Sequence, residues 1–307
     1  MSPPSRPESS RAPVLASPAL LASLALLAAM SVQAETQIRS LTEVIVGHAV
    51  GGVTTDAVGN LYVADFGETV WKLTPERPER TVLASNLYGT SGNAVDNDGQ
   101  LLQANFYGNV ITRIDRKGEV KPFVTHGLRG PVGINVNRQT GDIYVANCSG
   151  NFVGKVAPDG TMTSFARSDL FKCPNGISSD RDGNLYVVNF RDNKMLKIDA
   201  QGTVSPFATI SEKGLGHLCF REDRFFVTAF SSHEIYEVKL DATVKRILGN
   251  GERGIVDGAG DRARLSFPNG IACYTWAPRL YINEFVNESS SLPRRTIIRE
   301  ILLDLDK

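Results

Sequence analysis

Neither sign of charge is in surplus in this chain. Thirty-three basic and thirty-three acidic side chains give a formal net charge of zero, and no block of like charges occurs. Nucleic-acid binding rests on clustered Lys and Arg against phosphates, so this balance argues against it and against an anionic membrane surface. Cysteine and histidine are scarce, with four of each. No CxxC and no Cys/His zinc spacing is present, and no Ser-centred nucleophile elbow, P-loop or dinucleotide fingerprint appears. The one long apolar run, "ALLASLALLAAM" (19–30), is too short to span a bilayer.

That run has a different meaning. Arg6 and Arg11 precede it, and "SVQA" follows, ending on a small residue before Glu35. A basic start, an apolar middle and a small-residue boundary describe an export signal cleaved after Ala34. The expected mature protein, 35–307, is periplasmic or secreted, has no further membrane span and is monomeric. In an exported chain disulfides are permitted. Cys148 and Cys173 map to neighbouring loops and can bridge, whereas Cys219 and Cys273 lie inside strands and read as buried free thiols.

What the chain has in abundance is self-similarity. Segments ending "LYVADF" (61–66), "LLQANF" (101–106), "IYVANC" (143–148), "LYVVNF" (185–190), "FFVTAF" (225–230) and "LYINEF" (280–285) recur at intervals of about 40 residues. A glycine-led strand precedes each, a third strand follows, and a fourth follows most of them. Four short strands per unit, joined by Gly, Asp and Asn turns, are the signature of a propeller blade. The sixth unit runs out after its third strand, "TIIREILLDL", while "SLTEVIVG" (40–47) resembles an outer strand. The expectation is one all-β domain, a six-bladed β-propeller closed by pairing its N-terminal and C-terminal strands, which removes the open edges.

The stretch "GNGERGIVDGAGDRARLSFPNGIA" (249–272) resembles the NHL-repeat signature, and the "PNGI…LYV" pairs at 174–187 and 268–282 resemble the senescence-marker-protein/gluconolactonase family. Both are sets of six-bladed propellers, and the likeness covers roughly 40–307. It implies a small-molecule site in the central funnel, lactone hydrolysis as the leading activity, and one divalent cation, calcium or magnesium, held by oxygen ligands. The family's Asn at the "PNG" position maps to Asn175 and Asn269 as metal ligands. Its acidic ligands have no counterpart, because the equivalent positions read as Gly51, Ser91, Val132 and Leu215. Alternatives are a lyase that uses a rim histidine as base, or a non-catalytic NHL-type propeller that binds a ligand or protein.

The individual residues carry competing readings. Asn175 and Asn269 also suit a plain turn, in which Pro fixes φ and Asn-Gly accepts a left-handed backbone. Glu284 is the candidate third metal ligand or general base, since it breaks an Asp/Asn series at the ends of the second strands. The other members, Asp65, Asn105, Asn147 and Asn189, either cap turns or reach substrate. His217 and His126 are candidate proton shuttles. Arg129, beside His126, suits an anionic substrate, and Tyr107 lies on the same rim. His233 aligns with Asn109, Asn151 and Asn193 and reads as a turn cap, and His48 as a surface residue. Phe66, Phe106, Phe190, Phe230 and Phe285 end five second strands, and are expected to pack between blades, or else to form an apolar collar.

Overall fold

A computed structural model describes, besides Met1, residues 35–46, 49–74, 77–210, 214–286 and 294–304. The export signal expected over 1–34 and the surface position of His48 fall outside them. Asp-led turns join strands of three to ten residues. In blade 1, Asp56 Oδ1 accepts from the N–H groups of Val58 and Asn60, and Gly59 takes φ +94°. Asp96 and Asp180 repeat the same bonds in blades 2 and 4. A carboxylate that satisfies two turn amides at once fixes the hairpin and its register.

Six antiparallel sheets result. The inner strands of blades 1 to 6 are Val53–Thr55, Thr90–Val95, Pro131–Val136, Pro174–Ser179, Leu215–Arg221 and Ile271–Cys273. The second strands are Leu61–Ala64, Leu101–Asn105, Ile143–Asn147, Leu185–Asn189, Arg224–Ala229 and Arg279–Phe285, with every residue of the four through blade 4 buried. Outer strands such as Val120–Val124 and Val244–Leu248 are less buried, with two adjacent exposed residues each and only the last residue buried, as fits edge strands with one free face and an irregular register. Among the described residues no helix is long and apolar enough to cross a membrane.

Closure is as expected. Gln37–Val46 pairs antiparallel with Arg294–Leu302, in register from Gln37 opposite Leu302 to Val46 opposite Arg294, with an irregularity at Ser40/Thr42. Blade 6 is therefore built from both regions of the chain. A two-residue strand, Gly258–Ala259, lies against Gln37 and Ile38 as a fifth member.

Both cysteine pairs are bridged. Cys148–Cys173 joins blades 3 and 4 with Cα atoms 3.9 Å apart, so the capacity to bridge expected for this pair is realised. Cys219–Cys273 joins the inner strands of blades 5 and 6 at 5.6 Å, and corrects the reading of these two as free thiols. Neighbouring inner strands converge toward the axis, which brings two strand-interior residues within bridging range; the linear repeat does not show this convergence.

Deleting 35–46 leaves Arg294–Leu302 with an unpaired edge and opens the ring. Size-exclusion chromatography and thermal melting of the truncated chain are expected to show aggregation or loss of the cooperative transition. A monomer melting at the parental temperature contradicts this closure.

Candidate functional site

The site begins with backbone spacing at the axis. Strand pairing aligns Gly52, Gly92, Gly133, Gly176 and Gly270, each one residue before the strand pair Val53–Val63, Asn93–Gln103, Ile134–Val145, Ile177–Val187 or Ile271–Ile282. A Cβ on Gly52 would fall 2.8 Å from Gly92 Cα, one on Gly176 2.6 Å from His217 Cα, and one on Gly270 2.6 Å from Val53 N. Only glycine lets adjacent inner strands approach this closely. The pair Leu218–Val227 puts His217 at the sixth such position. The family's ligand position in blade 5 is therefore Gly216 rather than Leu215, and His217 replaces a glycine, not an Ile or Val.

Two cavities meet there. The funnel on one face, about 230 Å³, is lined by Phe66, Phe106, Phe190 and Phe230, the Cys148–Cys173 bridge, Val50 and Val132, with Ser91, Asn175, Asn269 and His217 at its base. A channel of about 250 Å³ runs between the inner strands on the other side. Among the described residues His217 alone lines both, which places it between them. Burial lowers its pKa to about 4, and the ring is neutral at physiological pH.

The phenylalanines form the collar. Phe66 lies 5.7 Å from Phe106, Phe190 5.7 Å from Phe230, and Phe230 5.1 Å from Phe267 between ring centroids. Inter-blade packing and an apolar funnel wall are thus one arrangement. Phe285 is buried behind Phe267 and does not line the funnel. Tyr107, 51% exposed, packs on Phe66, Phe106 and the 64% exposed Tyr88 at the rim.

Two side-chain-bearing residues just before the inner strands sit in left-handed backbone. Before the inner strands, Gly89, Gly130 and Gly214 have positive φ, and Cys173 (φ +58°) and Phe267 (φ +54°) take the same conformation with side chains. A left-handed L-residue costs about 1–2 kcal/mol. The bridge holds Cys173, and Phe230, His233 and the Arg253 guanidinium 4.6 Å from the ring hold Phe267. Phe267 carried no signal as a site residue in the linear sequence, where it reads only as the residue before a turn.

Asn175 and Asn269 do reach the axis, as masonry that also lines the funnel. Asn175 Nδ2 donates to the carbonyls of Leu215 (3.2 Å) and Gly216 (2.9 Å), and Asn269 Nδ2 to those of Val50 and Gly51 (3.1 Å), each latching its blade to the next. Ser91 Oγ does the same to Pro131 O at 2.8 Å.

Glu284 is elsewhere. It is fully buried, pairs with Arg299 at 2.8 Å, and accepts from the Ser266 N–H. Burial pushes its carboxyl up, against the pull of Arg299 and that N–H. Arg299 also donates to the carbonyls of Arg264 and Val256 and to Asp257, whose carboxylate accepts from Ser40 of the closing strand. Burial pushes Asp257 up as well, yet the Ser40 bonds and Arg299 hold it below the ordinary carboxylate range. The NHL-like stretch is thus pinned by one buried guanidinium. Glu284 does not face the funnel, which corrects its placement as catalytic base and metal ligand.

The remaining candidates are not in the funnel lining. Asn105, Asn147 and Asn189 are buried and accept from the backbone N–H groups of Tyr88, Arg129 and Lys172, and Asp65 from Gly67 and Thr69. These are turn caps, so the three asparagines are not substrate contacts. Arg129 and His126 are exposed and outside the funnel lining. His233 Nδ1 accepts from Phe267 N at 3.1 Å, as Asn109 does from Gly130 and Asn151 from Cys173; it is the expected turn cap.

A resident dication does not fit this donor set. Among the described residues no carboxylate lines the funnel, the two asparagines, tied to the neighbouring blade through their nitrogens, offer only two neutral carboxamide oxygens, and no group of three His, Cys, Asp or Glu stands together. Hard cations take six or more oxygen ligands, usually with carboxylates among them.

No protein-family model and no curated protein matches the chain. Solved structures do. A gluconolactonase from Xanthomonas campestris is 17% identical over 88% of this chain and 92% of its own, with a TM-score of 0.65. Virginiamycin B lyase from Staphylococcus aureus is 15% identical over 88% and 100%, with a TM-score of 0.61. An auxiliary nutrient binding protein from Bacteroides thetaiotaomicron is 13% identical over 87% and 76%, with a TM-score of 0.72. At these identities the likeness shows the propeller fold alone.

Two outcomes follow from this geometry. Glu284→Ala leaves the fully buried Arg299 with only the half-exposed Asp257 as counter-charge and is expected to cost about 3–5 kcal/mol in denaturant unfolding; an unchanged midpoint contradicts the structural role. His217 is held neutral by folding, so between pH 6.5 and about 4 the unfolded chain binds more protons than the folded one. Its contribution is complete above pH 6.5 and lost as pH falls toward 4, by up to about 3 kcal/mol at ~1.4 kcal/mol per unit. His217→Gln should remove that part of the acid sensitivity, and identical pH profiles would contradict a buried neutral imidazole.

Proposed function

We propose that the protein is an exported propeller that binds a small, largely apolar or aromatic molecule in its axial funnel, with His217 supplying one hydrogen bond at the floor. The carrying observation is the lining: phenylalanines from four blades and a disulfide form the wall, and one neutral imidazole lies beneath. Apolar walls with a few convergent polar groups are the ordinary composition of a small-molecule site. Two disulfides support export, because such bonds persist in oxidising compartments. The nutrient-binding neighbour adds support for a non-catalytic role on this fold. A polar lactone and its activating cation are a poor match to this wall.

A lyase is the second reading, favoured by the neutral state of His217. The imidazole would take the proton beside a leaving group, the C–H pair would become the new double bond, and the leaving group would depart with its bonding pair. An imidazole with so low a pKa is a weak base, which ranks this reading below binding.

Titration with 1-anilinonaphthalene-8-sulfonate separates the readings. The expected result is one saturable site per chain, with affinity reduced about tenfold by Phe106→Ala and by Phe230→Ala, since each removes a buried ring. Unaltered binding in both variants contradicts the funnel site. Calcium-dependent hydrolysis of gluconolactone, lost in Asn175→Ala, would overturn the binding reading in favour of a lactonase.

A further inference from the structure

The opposite face carries a larger cleft, about 680 Å³, where the inner–second turns of blades 1, 2, 3 and 6 meet the third–outer turn of blade 2. Its lining includes Trp276, Tyr62, Lys72, Arg116, Arg138 and Asp98. Trp276 is 71% exposed, yet its orientation is fixed, because Nε1 donates to Ala57 O at 2.7 Å. With the N–H satisfied, what remains outward is the apolar face of the indole, a surface that folding leaves uncovered.

The charges in the cleft balance in number but not in availability. Asp56 accepts from Val58 N, Asn60 N, Asn60 Nδ2 and Tyr62 Oη. Asp96 accepts from Asp98 N, Gln100 N and Arg113 Nε. Both carboxylates are spent on the fold. Against them, Lys72 and Arg116 have no ion-pair partner among the described residues, and Arg138 commits only Nη1, to Asp96 O at 3.1 Å. Asp98 is the one exposed carboxylate left over.

We propose that this cleft binds an acidic sugar, a uronate ring or a short run of them. The apolar face of a pyranose suits the indole. The sugar carboxylate suits the unpaired cations, since guanidinium groups grip carboxylates through paired N–H donors. Asp98 and the Asn97 amide oxygen, whose Nδ2 donates to Arg138 O, offer partners for ring hydroxyls. A neutral sugar leaves the cations unused, and a bare carboxylate leaves Trp276 uncovered. The site is independent of the funnel and stands or falls without it.

The chain has two tryptophans, so a Trp71→Phe variant isolates the emission of Trp276. Titration with digalacturonate is expected to give a saturable change at millimolar or better affinity, weakened by added salt. Cellobiose, with the same number of rings, and acetate should each bind about tenfold more weakly, as each satisfies one half of the site. Calorimetry on otherwise native protein should show about tenfold loss in Arg116→Ala and in Trp276→Ala. Should Trp71→Phe fail to fold, saturation-transfer NMR of digalacturonate on the native chain reads the same binding. The proposal is overturned by no saturable digalacturonate binding, by benzoate binding more tightly than digalacturonate, or by Trp276→Ala without effect.

Discussion

The fold depends on a guanidinium buried in its closing blade. Arg299 sits on the strand that pairs with both the second strand of blade 6 and the N-terminal strand 37–46. It ties Glu284 of the first to Asp257, which in turn holds Ser40 of the second, and it gathers the carbonyls of Val256 and Arg264 from the long glycine-rich insertion. A buried cation is tolerable only when its charge is met, and here two carboxylates and two carbonyls meet Nη1 and Nη2, while Nε has no partner among the described residues. Ring closure, the insertion and the entry to the sixth inner strand are thereby coupled to one side chain.

With the ring closed, the axis is governed by backbone proximity. Five glycines let five inner strands pass within backbone contact, and latches from Ser91, Asn175 and Asn269 lock neighbouring blades at the same level. The amide nitrogens and the Ser91 hydroxyl are committed to the ring they stabilise, and most of the funnel wall falls to phenylalanines and the bridge. One departure from the glycine rule puts His217 across the neck. Among the described residues that line the funnel this neutral imidazole is the one titratable group, and it underlies the proposal of a site for an apolar molecule.

Much of this was legible in the sequence. The forty-residue repeat, the blade count and the closing strand follow from strand periodicity and turn chemistry, which are local. The turn-cap role of His233 follows from its alignment with asparagines, because a ring nitrogen and an amide oxygen accept the same N–H. The misplaced residues share a different cause. Glu284 looked like a site residue because it broke a series, yet the break serves Arg299, fifteen residues away in sequence and across the sheet. Cys219 and Cys273 are 54 residues apart and meet only because inner strands converge. The register of His217 was obscured by the shortened turn before it. Residues whose role is set by the next blade cannot be assigned from their own blade.

Xenon-pressurised crystals report whether the funnel is dry and apolar, since xenon enters dry apolar cavities and avoids polar, hydrated ones. The expected result is a xenon atom in the funnel, within the ring of Phe66, Phe106, Phe190 and Phe230. A divalent ion coordinated there by the carboxamide oxygens of Asn175 and Asn269, with ordered water filling the funnel, would contradict it.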